Sequence, residues 1–96
     1  MTAKAKASAA IRNRRGLHAR ASARFVKAAA GFASRITVEK DGLVVSGKSI
    51  MGLMMLAAAP GENLVIRAEG EDAGKAVKAL ARLVSQGFEE GEADGS

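Results

Sequence analysis

In this 96-residue protein, His18 is the only histidine and the side chain best suited to nucleophilic chemistry at neutral pH. It lies within Gly16-Leu17-His18-Ala19-Arg20, where a loop gives way to a predicted helix, two residues ahead of an arginine. The N-terminus of a helix offers backbone N–H groups without intrahelical partners and the positive end of the helix dipole, both of which favour phosphate. The pentapeptide therefore points to phosphoryl chemistry.

Other uses of a single histidine are commoner. Many cap a helix or make one local hydrogen bond, and His18 on its own fits that role well. A structural metal site is poorly supported, because it wants about four Cys, His or carboxylate ligands and the chain has no cysteine and no second histidine. A hydrolase triad is no better supported. There is no Gly-x-Ser-x-Gly elbow, and nothing identifies an acid that would orient the imidazole.

The length suits one small domain, and a 48% hydrophobic composition can supply its core, although much of that share is alanine. The lack of cysteine excludes disulfides and thiol catalysis. With no long apolar run and no typical signal peptide, a soluble cytoplasmic protein without membrane attachment is expected. The basic, alanine-rich start could imitate a transit peptide, but its alternation reads equally well as an edge strand.

The net charge of +5 is uneven: residues 1–38 hold nine Lys or Arg and no acid, whereas Glu89 to Asp94 holds four acids. Such a basic half attracts phosphate or an acidic partner surface. Nucleic acid is not the expected partner, because there is no Tyr or Trp, only three Phe, and no zinc-finger or RNA-binding signature.

The elements that must position His18 can be read along the chain. Ala3 to Ile11 alternates Ala with Lys or Ser and predicts a half-buried strand. After Asn13 to Gly16, the stretch Ala19 to Ala30 puts Ser22, Phe25, Val26 and Ala29 on one helical face, and Gly31 stops it. His18 falls in the N-cap region of this helix. Ser34 to Lys40 alternates around Ile36 and Val38, Asp41-Gly42 signals a type I′ turn, and Leu43 to Gly47 returns as the second arm of a hairpin. Ser49 predicts the N-cap of a short helix through Leu56, closed by Ala-Ala-Pro60-Gly61. Asn63 to Glu69 alternates around Leu64, Ile66 and Ala68 as a fourth strand. Ala73, Ala76, Val77, Leu80, Leu83 and Val84 then keep helical spacing in a helix ending near Gly87.

The order is β-α-β-β-α-β-α. Three helices needing a common apolar surface and four strands able to supply it predict a two-layer α+β sandwich. Residues 1–88 are expected to form the domain and 89–96 an acidic, flexible tail.

This order, with Gly16-Leu17-His18-Ala19-Arg20 and Lys48-Ser49-Ile50-Met51-Gly52, resembles the HPr family, the histidine-containing phosphocarriers of the bacterial phosphoenolpyruvate-dependent phosphotransferase system. The resemblance runs from about Ala5 to Phe88 and is reinforced by Gly31-Phe32, the hairpin, and Ala68-Glu69-Gly70-Glu71-Asp72. It implies an open-faced sandwich with antiparallel strand order 1-4-2-3, and phosphate accepted on Nδ1 of His18 from enzyme I and passed to an EIIA-type protein. The residue chemistry agrees: the Ala19 and Arg20 amides can point at the phosphoryl group while the Arg20 guanidinium pairs with its oxygens. No metal or organic cofactor is expected, and the chain is expected to be a monomer that serves as a protein substrate more than as a free-standing enzyme.

Many family members have proline after this arginine, where the chain has Ala21-Ser22. Loss of that proline should loosen the first turn slightly without abolishing transfer. Arg-Ala-Ser at this position looks more like carriers of the nitrogen-related regulatory branch than those of sugar uptake.

Ser49 on its own is an ordinary N-cap. The resemblance aligns it with the serine phosphorylated by HPr kinase/phosphorylase. The helix it opens, Ile50 to Leu56, is apolar nearly all round, so some of it should face outward unless every side chain is core. The resemblance implies that Ile50, Met51 and Met54 border His18 and dock on partners, with Arg24 and Lys27 adding charge steering. A competing reading is a basic regulatory module that docks on partner proteins with phosphate as its switch.

Overall fold

A computed structural model describes residues 3–89. The elements in chain order are β1 (Lys4–Ala10), α1 (Ala19–Ala29), β2 (Arg35–Lys40), β3 (Leu43–Ser46), α2 (Ile50–Met55), β4 (Asn63–Glu69), α3 (Ala73–Ser85) and a 3₁₀ turn at Gly87–Glu89. Each lies within a residue or two of the span expected from periodicity, with one addition. Past α3 the chain makes the 3₁₀ turn and drives Phe88 fully into the core. The expected acidic tail, apart from Glu89, lies outside the described residues.

The four strands form one antiparallel sheet in the order β1-β4-β2-β3. Ala7 of β1 and Val38 of β2 flank Ile66 of β4, which is completely buried at the centre of the sheet. Period-2 alternation decides the faces: Ala9, Ile36, Val38, Leu64, Ile66 and Ala68 turn inward, while Lys4, Lys6, Arg35 and Arg67 are exposed. The hairpin between β2 and β3 turns on Asp41 and Gly42, with φ of 51° and 85°, as a type I′ turn requires.

The helices cover the apolar face. α1 buries Ala21, Ser22, Phe25 and Ala29, and α3 buries Ala73, Ala76, Val77, Leu80 and Val84. Val26 and Leu83, expected on these faces, sit at their margins and are half-buried. α2 contributes Leu53, with Leu56 at its C-cap, and packs beside α1. The result is an open-faced, two-layer α+β sandwich.

Two polar clasps fix the loops around this core. The Asp72 carboxylate accepts from the Ala33 N–H at 2.8 Å, from the Ser34 N–H at 3.0 Å and from the Ser34 hydroxyl, joining the start of β2 to the start of α3. The Ser34 hydroxyl, then the Ala33 N–H, hold this carboxyl below its ordinary pKa. Lys40 reaches the other side, donating from Nζ to the Leu56 carbonyl at the end of α2 at 3.2 Å and pairing with Glu62 and Asp41.

Candidate functional site

His18 occupies the N-cap of α1, with extended backbone at φ −77° and ψ 179°. Its carbonyl accepts the first intrahelical bond, from the Ser22 N–H at 2.9 Å, and its Nδ1 accepts from the Arg20 N–H at 3.2 Å. An Nδ1 that accepts cannot carry the proton in the neutral ring, so the proton lies on Nε2 and the Nδ1 lone pair faces the helix N-terminus. A nucleophilic role for Nδ1 would therefore fall on the same atom as this capping role. A phosphoryl group on Nδ1 would meet the first-turn amides of Ala19 and Arg20, which have no carbonyl four residues back within the helix.

The approach to this cap is held rigidly. The Asn13 side-chain amide donates to the Gly16 carbonyl at 2.8 Å, and the Leu17 N–H donates to the Ala58 carbonyl at 3.0 Å. Gly16 has φ +65°, and a Cβ built there would lie 2.2 Å from the Ala58 carbonyl oxygen. Only glycine lets the loop before α1 lie this close to the loop after α2. The contact ties the loop that carries the histidine motif to the loop that leaves α2, the helix opened by Ser49.

Arg20, the second residue of α1, is exposed, and Arg24 and Lys27 follow on the same helix. Lys27 is solvent-facing in its last turn. Arg24 has a further task that periodicity does not announce: its Nη1 donates to the Phe88 carbonyl at 2.8 Å, tying the 3₁₀ turn to α1. Ala21, in place of the proline common in the family, is third in the helix and fully buried, and its amide would not be an intrahelical donor in either case.

Ser49 is the N-cap of α2 and accepts from the Gly52 N–H at 3.0 Å. α2 presents Ile50 (40% exposed), Met51 (71%) and Met54 (39%), so these three are not core residues. Met55, at 67% exposed, belongs to the same outward surface and was not expected there. Its only sequence signal was the all-round apolarity of α2. No group of three or more His, Cys, Asp or Glu side chains among the described residues could hold a metal ion. No described helix is long and apolar enough to cross a membrane.

Fold and site together define a class: a small open-faced sandwich that presents one histidine at a helix N-terminus, with cations along that helix and exposed apolar side chains on its neighbour. Residues 5–86 match the family model for the phosphorylation site of the PTS HPr component. The chain belongs to the HPr family. It is 48% identical over 87 residues to the phosphocarrier protein HPr of Neisseria meningitidis serogroup A, an alignment covering 91% of this chain and 98% of that protein. The phosphocarrier protein HPr of Cupriavidus necator is 44% identical over 82 residues, covering 85% of this chain and 92% of the relative. Among solved structures, HPr-C-His from Thermoanaerobacter tengcongensis superposes with a TM-score of 0.85 at 44% identity, covering 91% of this chain and 98% of that one. A phosphocarrier role in the phosphotransferase system follows from this membership.

Proposed function

We infer that His18 is the phosphoryl acceptor of this carrier, taking the group from the phosphohistidine of enzyme I and handing it to a histidine of an EIIA-type protein. The observation that carries this reading is the Nδ1 lone pair held at the N-terminus of α1 by the Arg20 amide. In the forward step the lone pair forms a bond to phosphorus as the bond to the donor's ring nitrogen breaks and its electrons return to that ring. The Arg20 amide leaves Nδ1 and, with the Ala19 amide and the Arg20 guanidinium, donates to the phosphoryl oxygens. These donors serve the transferring group equally in both directions, as a reversible carrier needs.

Docking falls to Ile50, Met51 and Met54, with Met55 beside them, and to the charges of Arg24 and Lys27. Ser49, phosphorylated by an HPr kinase/phosphorylase, is the regulatory site, since a phosphate there puts negative charge beside this apolar surface. Ala21-Ser22 inclines the recipient toward a regulatory, nitrogen-related EIIA, and the relay is cytoplasmic.

Incubation with enzyme I, magnesium and phosphoenolpyruvate tests the acceptor by intact mass. Wild type should gain one acid-labile phosphoryl group and His18→Ala none; a phosphorylated His18→Ala protein would move the site elsewhere.

A further inference from the structure

Oxidisable side chains are few in this protein and unevenly placed. There is no cysteine, tryptophan or tyrosine, and of four methionines three are Met51, Met54 and Met55 in α2. The fourth, Met1, lies outside the described residues. Any mild two-electron oxidant that reaches the folded protein therefore finds these three thioethers exposed on α2, the helix that packs beside α1. None of the three lies in the core. α2 is seated by Leu53, fully buried, and by Leu56 at its C-cap, so its anchorage in the core is supplied by residues other than the methionines.

We propose that Met51, Met54 and Met55 form an oxidation site, at which a peroxide converts the docking surface from apolar to polar and uncouples the carrier from its partners without unfolding it. In the reaction the sulfur lone pair attacks the protonated peroxide oxygen, the O–O bond breaks, that oxygen stays as the sulfoxide and gives up its proton to the other, which leaves as water or an alcohol. Sulfur loses two electrons and the peroxide gains them. The sulfoxide oxygen is a strong acceptor, and pressing it into a dry interface without a donor is unfavourable. Sulfoxides are returned to thioethers by the methionine sulfoxide reductases, so the change is reversible. Regulation by oxidation thus needs no cysteine here: flexible, polarizable side chains that suit adaptable docking are also the ones that lose their apolar character in one step.

The inference rests on the docking role given to α2, and the experiment separates the two. Wild type and the triple variant Met51→Leu, Met54→Leu, Met55→Leu are each treated with hydrogen peroxide. Oxygen uptake is located by peptide mass, the fold is followed by circular dichroism, and the affinity for enzyme I is compared with that of the same protein before treatment. Oxidised wild type should keep its melting curve and bind roughly tenfold or more weaker. Reductase treatment should restore it, and the triple variant should bind equally before and after peroxide. Unchanged binding by wild type carrying all three sulfoxides overturns the oxidation site, as does an equal loss in the triple variant. Met51→Glu, measured alongside, tests the docking role itself: if it binds enzyme I like wild type, the failure lies in that role and not in the chemistry of the thioethers.

Discussion

Replacing Gly16 by alanine should destabilise the protein through two separable effects. The first is conformational: φ at +65° is left-handed backbone, which costs an alanine about 1–2 kcal/mol. The second is a collision. The new Cβ would lie 2.2 Å from the Ala58 carbonyl oxygen, so that the two loops must part by about 1 Å to regain ordinary contact. Parting them stretches the 3.0 Å bond from the Leu17 N–H to that carbonyl, a further loss of about 1 kcal/mol. Gly42→Ala is the natural comparison, since φ there is +85° but nothing lies within 4 Å of a Cβ. It shares the strain and the unfolded-state entropy gain of a glycine-to-alanine change but not the collision. Gly16→Ala should therefore lose about 2–3 kcal/mol, equivalent to roughly 10–20 °C in Tm for a domain of this size, and at least about 1 kcal/mol more than Gly42→Ala. Urea unfolding followed by far-UV circular dichroism is the assay, because a chain without tryptophan or tyrosine offers little intrinsic fluorescence. Equal urea midpoints for the two variants would refute the close approach of the loops.

Arg20→Ala should slow phosphorylation of His18 by roughly 100-fold with little change in Tm, and Arg20→Lys should fall between it and wild type; quench-flow with phosphorylated enzyme I reads both. Ser49→Asp should keep the melting curve within a few degrees while slowing transfer from enzyme I, and equal rates for the two proteins would count against regulation at that position. Asp72 has a folded pKa below its ordinary 3.8, so its contribution to stability is complete above the unfolded value and is lost as pH falls through the folded one. Asp72→Asn should accordingly flatten the acid limb of the stability–pH curve below about pH 4, and an acid limb as steep as that of wild type would show that other carboxylates govern it.

What sequence could show, and what it could not, divides along the range of the interactions. The strands and helices were legible because alternation at Ile36 and Val38, or the spacing of Ala76, Val77 and Leu80, is a local pattern imposed by one shared core. Both caps were legible for the same reason, since His18 and Ser49 bond amides two and three residues away. The strand order 1-4-2-3 came only with the family resemblance, because no residue of β1 states that it pairs with β4. Contacts made across long stretches of chain stayed hidden. Lys40 reads as a surface charge in a hairpin until Leu56 is folded back against it, and Asp72 as a helix-start residue until β2 brings Ser34 to its carboxylate. Phe88 sits past the periodic part of α3, in a turn that the Arg24 guanidinium helps to hold from 64 residues away.

The same division explains how a site on an open surface can be well ordered without being buried. His18 is half-buried and Arg20 exposed, as they must be if two different proteins are to reach Nδ1 in turn. Order is supplied from beneath: Phe25 and Ala21 anchor α1 in the core, Leu17 is tied to Ala58, and Lys40 holds the end of α2 that leads into that loop. On the proposed reading, partner recognition and phosphoryl chemistry fall to side chains on α2 and at the start of α1 that contribute little to the core. A substitution at Met51 or Arg20 should thus alter transfer at nearly constant stability, whereas one at Gly16 or Phe25 should alter both together.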